Sequence, residues 1–352
     1  MTSRRITTSR DVARLAGVSQ ASVSRAFSPG APLSSELRAR ILKAAEQLNY
    51  IPNSLAGSLN RARTNTIALI IGDTENPFYI HVLRAFLKAL SARGQQVLTF
   101  TIPPGATSDD AIRQVLKFRV DGIILTSAEV STRMVSLCQQ RDIPLILFNR
   151  YIPGTRLPVV RCDNVGGGRQ MAQALLAAGA RSFALVLGDP RGTTSQDRAQ
   201  GFLSALDGQP VRHIEGGPSY DMALDAFSKA YEKGEPLPDA VFAVSDIAAM
   251  AVIDVLRHKL GRRVPDDIMV AGFDNLPESR RLPYRLTTLD QPVAEMVRET
   301  LDLLDKMLAG ERLDPKPERL VPTRLIWRET VRGAAPIPPP PIPLLPLAGN
   351  QS

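Results

Sequence analysis

Four residues of types that read DNA bases lie at helical spacing near the start of the chain: Gln20, Ala21, Ser22 and Arg25. In the major groove, glutamine can bond two atoms of adenine and arginine two atoms of guanine. Such chemistry requires a helix that presents these side chains outward while its opposite face packs on a neighbour. The spacing therefore predicts a base-reading helix, if the flanking residues can build and position one.

The preceding residues predict a first short helix that ends in a tight turn. Thr8 and Asp11 match a capping box at its start, and Gly17 breaks the helical pattern after it. Ser19 can then cap the second helix. An ordinary helical hairpin is the alternative to a DNA-binding helix-turn-helix. The apolar positions expected to face inward are Val12, Leu15, Ala16, Val23 and Phe27.

A third helix and a local excess of positive charge favour the DNA-binding interpretation. Residues 1–63 hold ten basic and three acidic side chains, so they carry +7 of the chain's net +8. A basic excess confined to this segment is the electrostatic signature of phosphate contact. The third helix starts at Ser34 and ends at Asn49, and its apolar residues lie at helical spacing: Leu37, Ile41, Ala44, Ala45 and Leu48.

This segment resembles the headpiece of the lactose and galactose repressor (LacI/GalR) family of transcription factors. The resemblance rests on residues 11–13, 16–19, 23–25 and 48–53, and it extends more loosely to about Thr330. It implies a homodimeric regulator that binds near-palindromic operator DNA through the headpiece and a small effector through a larger domain. The candidate DNA-contacting residues are Thr8, Ser19, Gln20, Ala21, Ser22, Ser24, Arg25, Asn53, Ala56 and Leu59.

Residues 53–63 connect the headpiece with the rest of the chain, and two helical turns fit there. A helix this short is marginal in water, and Gly57 costs about 1 kcal/mol relative to alanine. The resemblance implies a hinge helix that orders on operator DNA, with Leu59 wedged into the minor groove and Ala56 close to it. A plain flexible linker is the alternative.

Strand and helix patterns alternate beyond this linker, which predicts an α/β fold with parallel sheets. The strand-like runs are residues 67–71, 96–100, 122–125, 144–148, 159–161, 183–187, 240–244 and 268–272. The helical patterns are residues 77–93, 109–118, 131–141, 168–178, 196–206, 220–233, 247–258 and 293–308.

The resemblance implies that this body has two subdomains, like a periplasmic sugar-binding protein. It also implies that the chain crosses between them near Gly179, Asp290 and Leu313. The expected organisation is a headpiece at 1–52, a hinge at 53–63, a ligand-binding and dimerisation domain at 64–332, and a tail at 333–352. The tail is proline-rich between residues 336 and 343, which excludes helix and sheet and favours an extended or disordered chain.

Polar residues and glycines follow several predicted strands, where open α/β sheets bind ligands. Asp and Asn also cap helices and form turns there, so each residue has a purely structural alternative. The resemblance implies effector contacts from Arg198 and from the Asp274 carboxylate. Ser245 stands where the family commonly has asparagine, which indicates a different ligand. The candidate effector-binding residues are Asp73, Phe78, Asn149, Asp163, Arg198, Ser245, Asp246, Phe273 and Asp274.

This residue set suits a sugar or another polyol. Each hydroxyl both donates and accepts, so carboxylate, amide and guanidinium groups can bond it. Phe78 or Phe273 can stack on the apolar face of a sugar ring. The effector could also be a sugar acid, because three arginines are expected near the cleft: Arg150, Arg161 and Arg198. A neutral sugar fits the resemblance equally well.

Motifs typical of enzymes, metal sites and cofactor sites are missing from the sequence, so we expect neither catalysis nor a cofactor. The glycines at 166–168 lack the spacing of a nucleotide-binding loop. Cys138 and Cys162 do not make a disulfide framework. Because an apolar run long enough to span a bilayer and a signal segment are both missing, we expect a cytoplasmic protein without membrane contact.

Three functions are compatible with parts of this sequence: a ligand-controlled DNA-binding repressor, a sugar-binding protein without a DNA role, and an α/β sugar enzyme. The headpiece and the missing export signal count against the second, and the missing catalytic motifs count against the third. We therefore expect a transcriptional regulator.

Overall fold

The structure, a computed structural model, describes residues 7–27, 31–51, 63–72, 76–103, 105–126, 129–232, 234–314 and 317–333. The chain forms two compact units, residues 1–64 and residues 65–352. The predicted hinge, apart from Arg63, and the proline-rich tail, apart from Gly333, lie outside the described residues. None of the helices in the described ranges has the length and apolarity needed to cross a bilayer.

The N-terminal unit is built from three helices: α1 (Ser9–Ala16), α2 (Gln20–Ala26) and α3 (Ser35–Gln47). Phe27 packs edge-on against Tyr50, with 5.9 Å between the ring centres, and both rings add to the core. The prediction that Leu15 faces inward is wrong, because its side chain is 51% exposed and Ala13 completes the buried stripe of α1 instead. The buried core residues are Val12, Ala13, Ala16, Val23, Ala26, Ile41, Ala44 and Ala45.

The predicted caps set the boundaries of α1 and α2. The backbone N–H and the hydroxyl of Thr8 both donate to the Asp11 carboxylate, at 3.0 and 2.7 Å. Gly17 ends α1 with φ +63°, a left-handed conformation that glycine adopts without strain. Ser19 Oγ accepts the N–H of Ser22 at 3.2 Å and starts α2. The predicted helix-turn-helix is therefore confirmed.

The body contains two six-stranded sheets, which confirms the predicted α/β fold. The strands of the first sheet are β1 (Thr66–Ile71), β2 (Gln96–Thr101), β3 (Gly122–Leu125), β4 (Leu145–Phe148), β5 (Val159–Cys162) and β11 (Glu318–Val321). Those of the second are β6 (Phe183–Leu187), β7 (Val211–Glu215), β8 (Ala240–Ala243), β9 (Met269–Asp274), β10 (Thr287–Asp290) and β12 (Arg324–Ile326).

Both sheets are dominated by parallel pairing. The first has the order β11-β5-β4-β3-β1-β2, and the second has the order β12-β10-β9-β8-β6-β7. β12 pairs antiparallel with β10, whereas the other pairs are parallel. Residues 67–71 of β1 are at most 1% exposed, because helices cover both faces of a parallel sheet.

Helices connect the strands and define two subdomains. In the first, α4 (Pro77–Ala92), α5 (Ser108–Val115), α6 (Thr132–Gln140) and α11 (Val293–Leu308) accompany the first sheet. In the second, α7 (Asn164–Ala177), α8 (Thr193–Leu203), α9 (Tyr220–Tyr231) and α10 (Asp246–Asp254) accompany the second sheet. A π-helical turn (Val255–Lys259) follows α10, and a 3-10 turn (Pro277–Arg280) follows β9.

The chain passes between the two subdomains at three places. It leaves the first sheet after β5, because α7 packs on α8 of the second subdomain. It returns after Asp290, since α11 packs on α4 and β5, and it passes a third time between Val321 and Arg324. The expected crossings near Gly179 and Leu313 are therefore corrected to Asp163 and to residues 322–323. Only Asp163 separates β5 from α7, so the chain crosses to the second subdomain without a long loop.

Helices α7 and α8 approach each other backbone to backbone. A β-carbon on Gly168 would lie 2.1 Å from the Arg198 carbonyl oxygen, and one on Gly201 would lie 2.0 Å from the Val165 carbonyl oxygen. Only glycine fits at these two positions, because each clash is with backbone rather than with a side chain that can move. Within the run 166–168, Gly168 therefore has a packing role.

Candidate functional site

Helix α2 presents the predicted base-reading side chains to solvent. Gln20, Ala21 and Arg25 are exposed, whereas Val23 on the opposite face is buried. Gln20 Nε2 donates to Ser9 Oγ at 2.7 Å, and Arg25 Nε donates to the Ala21 carbonyl at 3.4 Å. These bonds orient both long side chains along the outer face of the helix, where base edges can be reached.

The hydroxyl-bearing candidates of the headpiece also shape the turn itself. Thr8 bonds Asp11, and Ser19 Oγ lies 3.0 Å from Ser22 Oγ in addition to capping α2. Ser24 is exposed on the same helix. The remaining candidates for DNA contact, Asn53, Ala56 and Leu59, lie outside the described residues.

One arginine of the basic headpiece holds the chain together rather than facing outward. Arg38 on α3 donates through Nη1 to the Ala26 carbonyl and through Nη2 to the Ala31 carbonyl at 3.0 Å. Ala26 is the last residue of α2 and Ala31 lies in the connection to α3, so Arg38 ties this connection to the helix it starts from. Positive charge alone therefore overstates the number of side chains that can contact phosphate.

A small cavity with a volume of about 50 Å³ lies between the two subdomains, at the carboxyl ends of their strands. Asn76 and Arg150 contribute to it from the first subdomain. Of the effector candidates, Arg198 and Ser245 line this cavity, and Asp73 lies outside the described residues. The residues that line it from the second subdomain are Gly188, Asp189, Gly192, Thr194, Ser195, Arg198, Gly217, Pro218, Val244 and Ser245.

Arg198 occupies the centre of a buried network. Its Nε donates to Asn164 Oδ1 at 2.8 Å, and its Nη1 donates to the Val244 carbonyl at 2.6 Å and to Asp274 Oδ1 at 3.0 Å. The guanidinium carbon lies 3.7 Å from the centre of the Phe273 ring. The side chains of Arg198 and Asp274 are only 5% and 3% exposed, so their ion pair is shielded from water.

Asp246 and Asp274 form a pair of buried carboxylates behind this network. Asp246 accepts the Thr288 hydroxyl at 2.5 Å and the Leu276 N–H at 2.8 Å. Burial, together with the Asp274 charge, raises the pKa of Asp246 to about 7. Burial also raises the pKa of Asp274, although the Arg198 charge opposes this rise. One of the two carboxyls can therefore hold a proton near neutral pH.

The backbone at this edge of the second sheet is strained. Asp274 has φ +125° and Asn275 has φ +55°, a region that side chains other than glycine rarely adopt. Such residues cost about 1–3 kcal/mol each and cluster at ligand-binding sites. These two residues turn the chain at the end of β9, where the Asp274 carboxylate meets Arg198.

The aromatic candidates lie in the hydrophobic core and do not line the cavity. Phe78 is 2% exposed and packs edge-on against Tyr79, with 5.4 Å between the ring centres. Phe273 is fully buried beneath Arg198, and a β-carbon on Gly167 would touch its ring at 2.9 Å. Protein atoms cover both rings in this arrangement, so stacking of either ring on a sugar stays a prediction.

Three further candidates stand at the ends of strands. Asn149 is 2% exposed with φ +68°, and its Nδ2 donates to Tyr79 Oη at 3.4 Å. Its Oδ1 has no hydrogen-bond partner among the residues that the structure describes. Asp163 caps α7 by accepting the Gly166 N–H at 2.8 Å. Ser245 caps α10 while it lines the cavity. Asp163 and Ser245 therefore each have a structural role, and their contact with an effector stays a prediction.

The candidate effector-binding residues did not include several residues that line the cavity, above all Asn76, Asp189 and Thr194. Asn76 immediately precedes α4, and its Oδ1 accepts the Phe78 N–H at 2.9 Å. Thr194 belongs to the first turn of α8, which the sequence pattern starts only at residue 196. A predicted helix that began at residue 193 would have placed Thr194 in its first turn, at the carboxyl end of the preceding strand.

Comparisons with known proteins agree with this architecture. A model of bacterial regulatory proteins of the lacI family matches residues 8–53, and a model of a periplasmic binding protein-like domain matches residues 172–331. The ribose operon repressor of Halalkalibacterium halodurans is 33% identical over 332 residues, which cover 93% of this chain and 98% of that protein. The HTH-type transcriptional regulator CelR of Thermobifida fusca is 32% identical, with 94% and 100% covered.

Two solved structures extend the comparison. A complex of the transcriptional regulator CelR with cellobiose shares 30% identity, with a TM-score of 0.66, 92% of this chain covered and 99% of that chain. The lac repressor dimer bound to operator and the anti-inducer ONPF shares 23% identity, with a TM-score of 0.83 and coverage of 93% and 99%. At that identity, the second match shows the fold alone.

Proposed function

Because the chain belongs to the lacI family of bacterial regulatory proteins, we propose that it is a transcriptional repressor whose operator binding is controlled by a sugar in the cleft between its subdomains. Membership of this family makes it a DNA-binding regulator rather than an enzyme. The observation that carries the effector proposal is the polar cavity lined by both subdomains, with Arg198 at its wall and buried Asp274 paired to Arg198 from behind. Since it acts on DNA in a bacterial cell, we assign it to the cytoplasm.

The chemistry of the cavity favours a neutral polyol over a sugar acid. Arg161 is paired with Asp197 and Glu318, and Arg198 is paired with Asp274, so two of the three nearby guanidinium groups already face carboxylates. Hydroxyl, amide and guanidinium groups remain at the wall, and each can bond a sugar hydroxyl. Arg198 lines the cavity, and we assign its guanidinium to an effector hydroxyl.

We further propose that two copies of the chain bind one operator. A single headpiece offers too small a surface for tight specific binding, whereas two copies contact two half-sites. The operator is then a near-palindrome with a deformable central step for the two Leu59 side chains. Effector binding changes the arrangement of the two subdomains and thereby how well both headpieces fit the two half-sites of the operator. The effector can shift this equilibrium only by the difference between its affinities for the two arrangements of the subdomains.

The proposal is tested by a thermal-shift screen with D-ribose, cellobiose, sucrose and galacturonate, followed by operator binding with and without the best sugar. We expect a neutral sugar to stabilise the body and to change operator affinity. Thr194→Val removes a hydroxyl from the cavity and should weaken sugar binding, whereas Thr101→Val at the exposed end of β2 should not. Failure of every sugar to bind, or equal effects of both variants, contradicts the proposed site.

A further inference from the structure

Three side chains connect the two subdomains beside the cleft, and we call them the latch: Tyr151, Arg161 and Asp197. Tyr151 follows β4 and Arg161 lies on β5, so both belong to the first subdomain, whereas Asp197 lies on α8 of the second. Tyr151 Oη donates to Asp197 Oδ1 at 3.0 Å, and Arg161 Nη1 donates to Asp197 Oδ2 at 3.1 Å. Both carboxylate oxygens of Asp197 are thus held from across the cleft.

The latch is shielded from water and supported from behind. The side chains of Arg161 and Asp197 are 15% and 9% exposed, so their ion pair is stronger than one on the surface. Arg161 Nε also donates to Glu318 on β11 at 2.5 Å, which fixes the guanidinium within the first subdomain. The same guanidinium lies 4.5 Å from the centre of the Tyr151 ring. Glu318 thus holds the Arg161 guanidinium in place, and Arg161 in turn holds both the Tyr151 ring and the Asp197 carboxylate.

The position of Asp197 links the latch to the cavity. Asp197 directly precedes Arg198, and the first turn of α8 lines the cavity through Thr194 and Ser195. In the arrangement that the latch holds, the cavity measures about 50 Å³. One water molecule needs roughly 10–15 Å³ of cavity volume, so this cavity has room for about four waters. Ligand pockets usually measure about 300–1,000 Å³, so a cavity of this size is too small for a hexose with its twelve heavy atoms.

We propose that the latch is a lock that keeps the subdomains in a sugar-excluding arrangement, and that an effector enters only when the contacts from Tyr151 and Arg161 to Asp197 break. The identity of the effector as a sugar rests on the function proposed above, whereas the lock itself does not. Apparent sugar affinity is lowered by the fraction of molecules that the latch keeps closed. Weakening the latch must then strengthen sugar binding although no cavity residue changes.

The lock is tested first without any sugar, by spin labels on the two subdomains. Gln140→Cys on α6 and Lys229→Cys on α9 place labels at exposed positions, and the native cysteines Cys138 and Cys162 are buried. We expect one short distance in the parent protein and a second, longer distance in the Tyr151→Phe and Asp197→Asn variants. A distance distribution unchanged by both variants overturns the lock.

A matched control separates the latch from the general effect of losing a half-buried tyrosine hydroxyl. Tyr284 Oη donates to Asp254 at 2.9 Å within the second subdomain, so Tyr284→Phe deletes a comparable bond that does not cross the cleft. We expect this variant to keep the parent distance. If Tyr284→Phe shifts the distance as much as Tyr151→Phe does, the effect is general softening and the lock is wrong.

Titration calorimetry with D-ribose and cellobiose then measures the consequence for binding. We expect Tyr151→Phe to bind the preferred sugar about tenfold more tightly than the parent, which is about 1.4 kcal/mol. Equal or weaker binding by the opened variant overturns the proposed link between latch and effector. If the labels report opening but neither sugar binds any form of the protein, the lock stands and the proposed sugar effector fails.

Discussion

The buried pair of Arg198 and Asp274 allows a quantitative prediction about the stability of the body. Arg198→Met preserves most of the side-chain volume but removes the charge and three hydrogen bonds. Asp274 is then left as a buried carboxylate that keeps the Gln291 Nε2 bond at 2.5 Å and a bond from the Asp246 backbone N–H, but no cationic partner from Arg198. The substitution therefore creates an uncompensated charge at a position that is 3% exposed.

Breaking one side of a buried ion pair costs about 3–5 kcal/mol, so we expect Arg198→Met to lose about that much free energy of unfolding. For a domain of this size each kcal/mol corresponds to about 2–4 °C in Tm, which gives a fall of about 6–20 °C. The double variant Arg198→Met/Asp274→Asn removes the orphaned charge as well. It should recover at least half of the loss, because a neutral amide still accepts from Gln291.

Urea unfolding followed by tryptophan fluorescence measures this cycle cleanly. The single tryptophan, Trp327, packs against the core of the body, so its emission reports on the body rather than on the headpiece. Lys229→Met is the control, because it breaks an ion pair with Asp225 whose side chains are 67% and 62% exposed, and it should cost at most about 0.5 kcal/mol.

Two results refute the reasoning. The first is a loss below about 1 kcal/mol for Arg198→Met, which would mean that water or another group compensates Asp274. The second is additivity of the two single substitutions, because residues that form a true pair must show a coupling energy. This cycle should precede any use of Arg198 variants in effector-binding experiments, since an unstable body imitates a lost effector response.

The remaining predictions concern DNA reading, the linker, helix packing and pH. Exchange of Gln20 and Ala21 together should change the preferred operator in a binding-site selection, and an unchanged preference excludes them as base readers. Leu59→Ala should weaken specific operator binding and spare weak non-specific binding, and a similar loss in both assays contradicts the proposed wedge. Gly168→Ala should lower the free energy of unfolding in urea by at least about 1–3 kcal/mol, because the added carbon meets the backbone of α8. An unchanged free energy of unfolding excludes that close contact. Because the pKa of Asp246 rises to about 7 on folding from about 3.9, its contribution to stability is lost as pH rises through this window. In the parent protein the urea midpoint should therefore fall between about pH 4 and pH 7, and Asp246→Asn should reduce that fall. An equally steep fall in the variant counts against the raised pKa.

Local chemistry made the headpiece predictable from the sequence. Thr8, Asp11, Gly17 and Ser19 act through contacts within a few residues, so their types and spacing already determine where α1 and α2 begin and end. The buried central strands were predictable for a similar reason, because continuous apolar runs are typical of parallel sheets. Leu15 was mispredicted because Ala13, a smaller side chain, lies on the buried side of the helix.

Long-range contacts explain what the sequence could not show. Strand β7 was missed because its edge position leaves Arg212, His213 and Glu215 exposed, which breaks the apolar pattern. Strand β10 was missed because its buried Thr288 is satisfied by Asp246, a partner 42 residues away. The latch and the cavity likewise combine residues from distant segments. Even correct strand assignments leave such pairs undetermined.

The backbone contact between α7 and α8 also defines a unit for protein engineering. Residues 163–203 run from the crossing after β5 to the end of α8, and Gly168 and Gly201 hold the two helices together. Exchange of α8 alone between relatives would set a foreign helix against a surface shaped for this one. A chimaera intended to change sugar preference should therefore transplant the whole segment, with its junctions at Asp163 and after Leu203, so that the glycine contacts travel with the cavity wall.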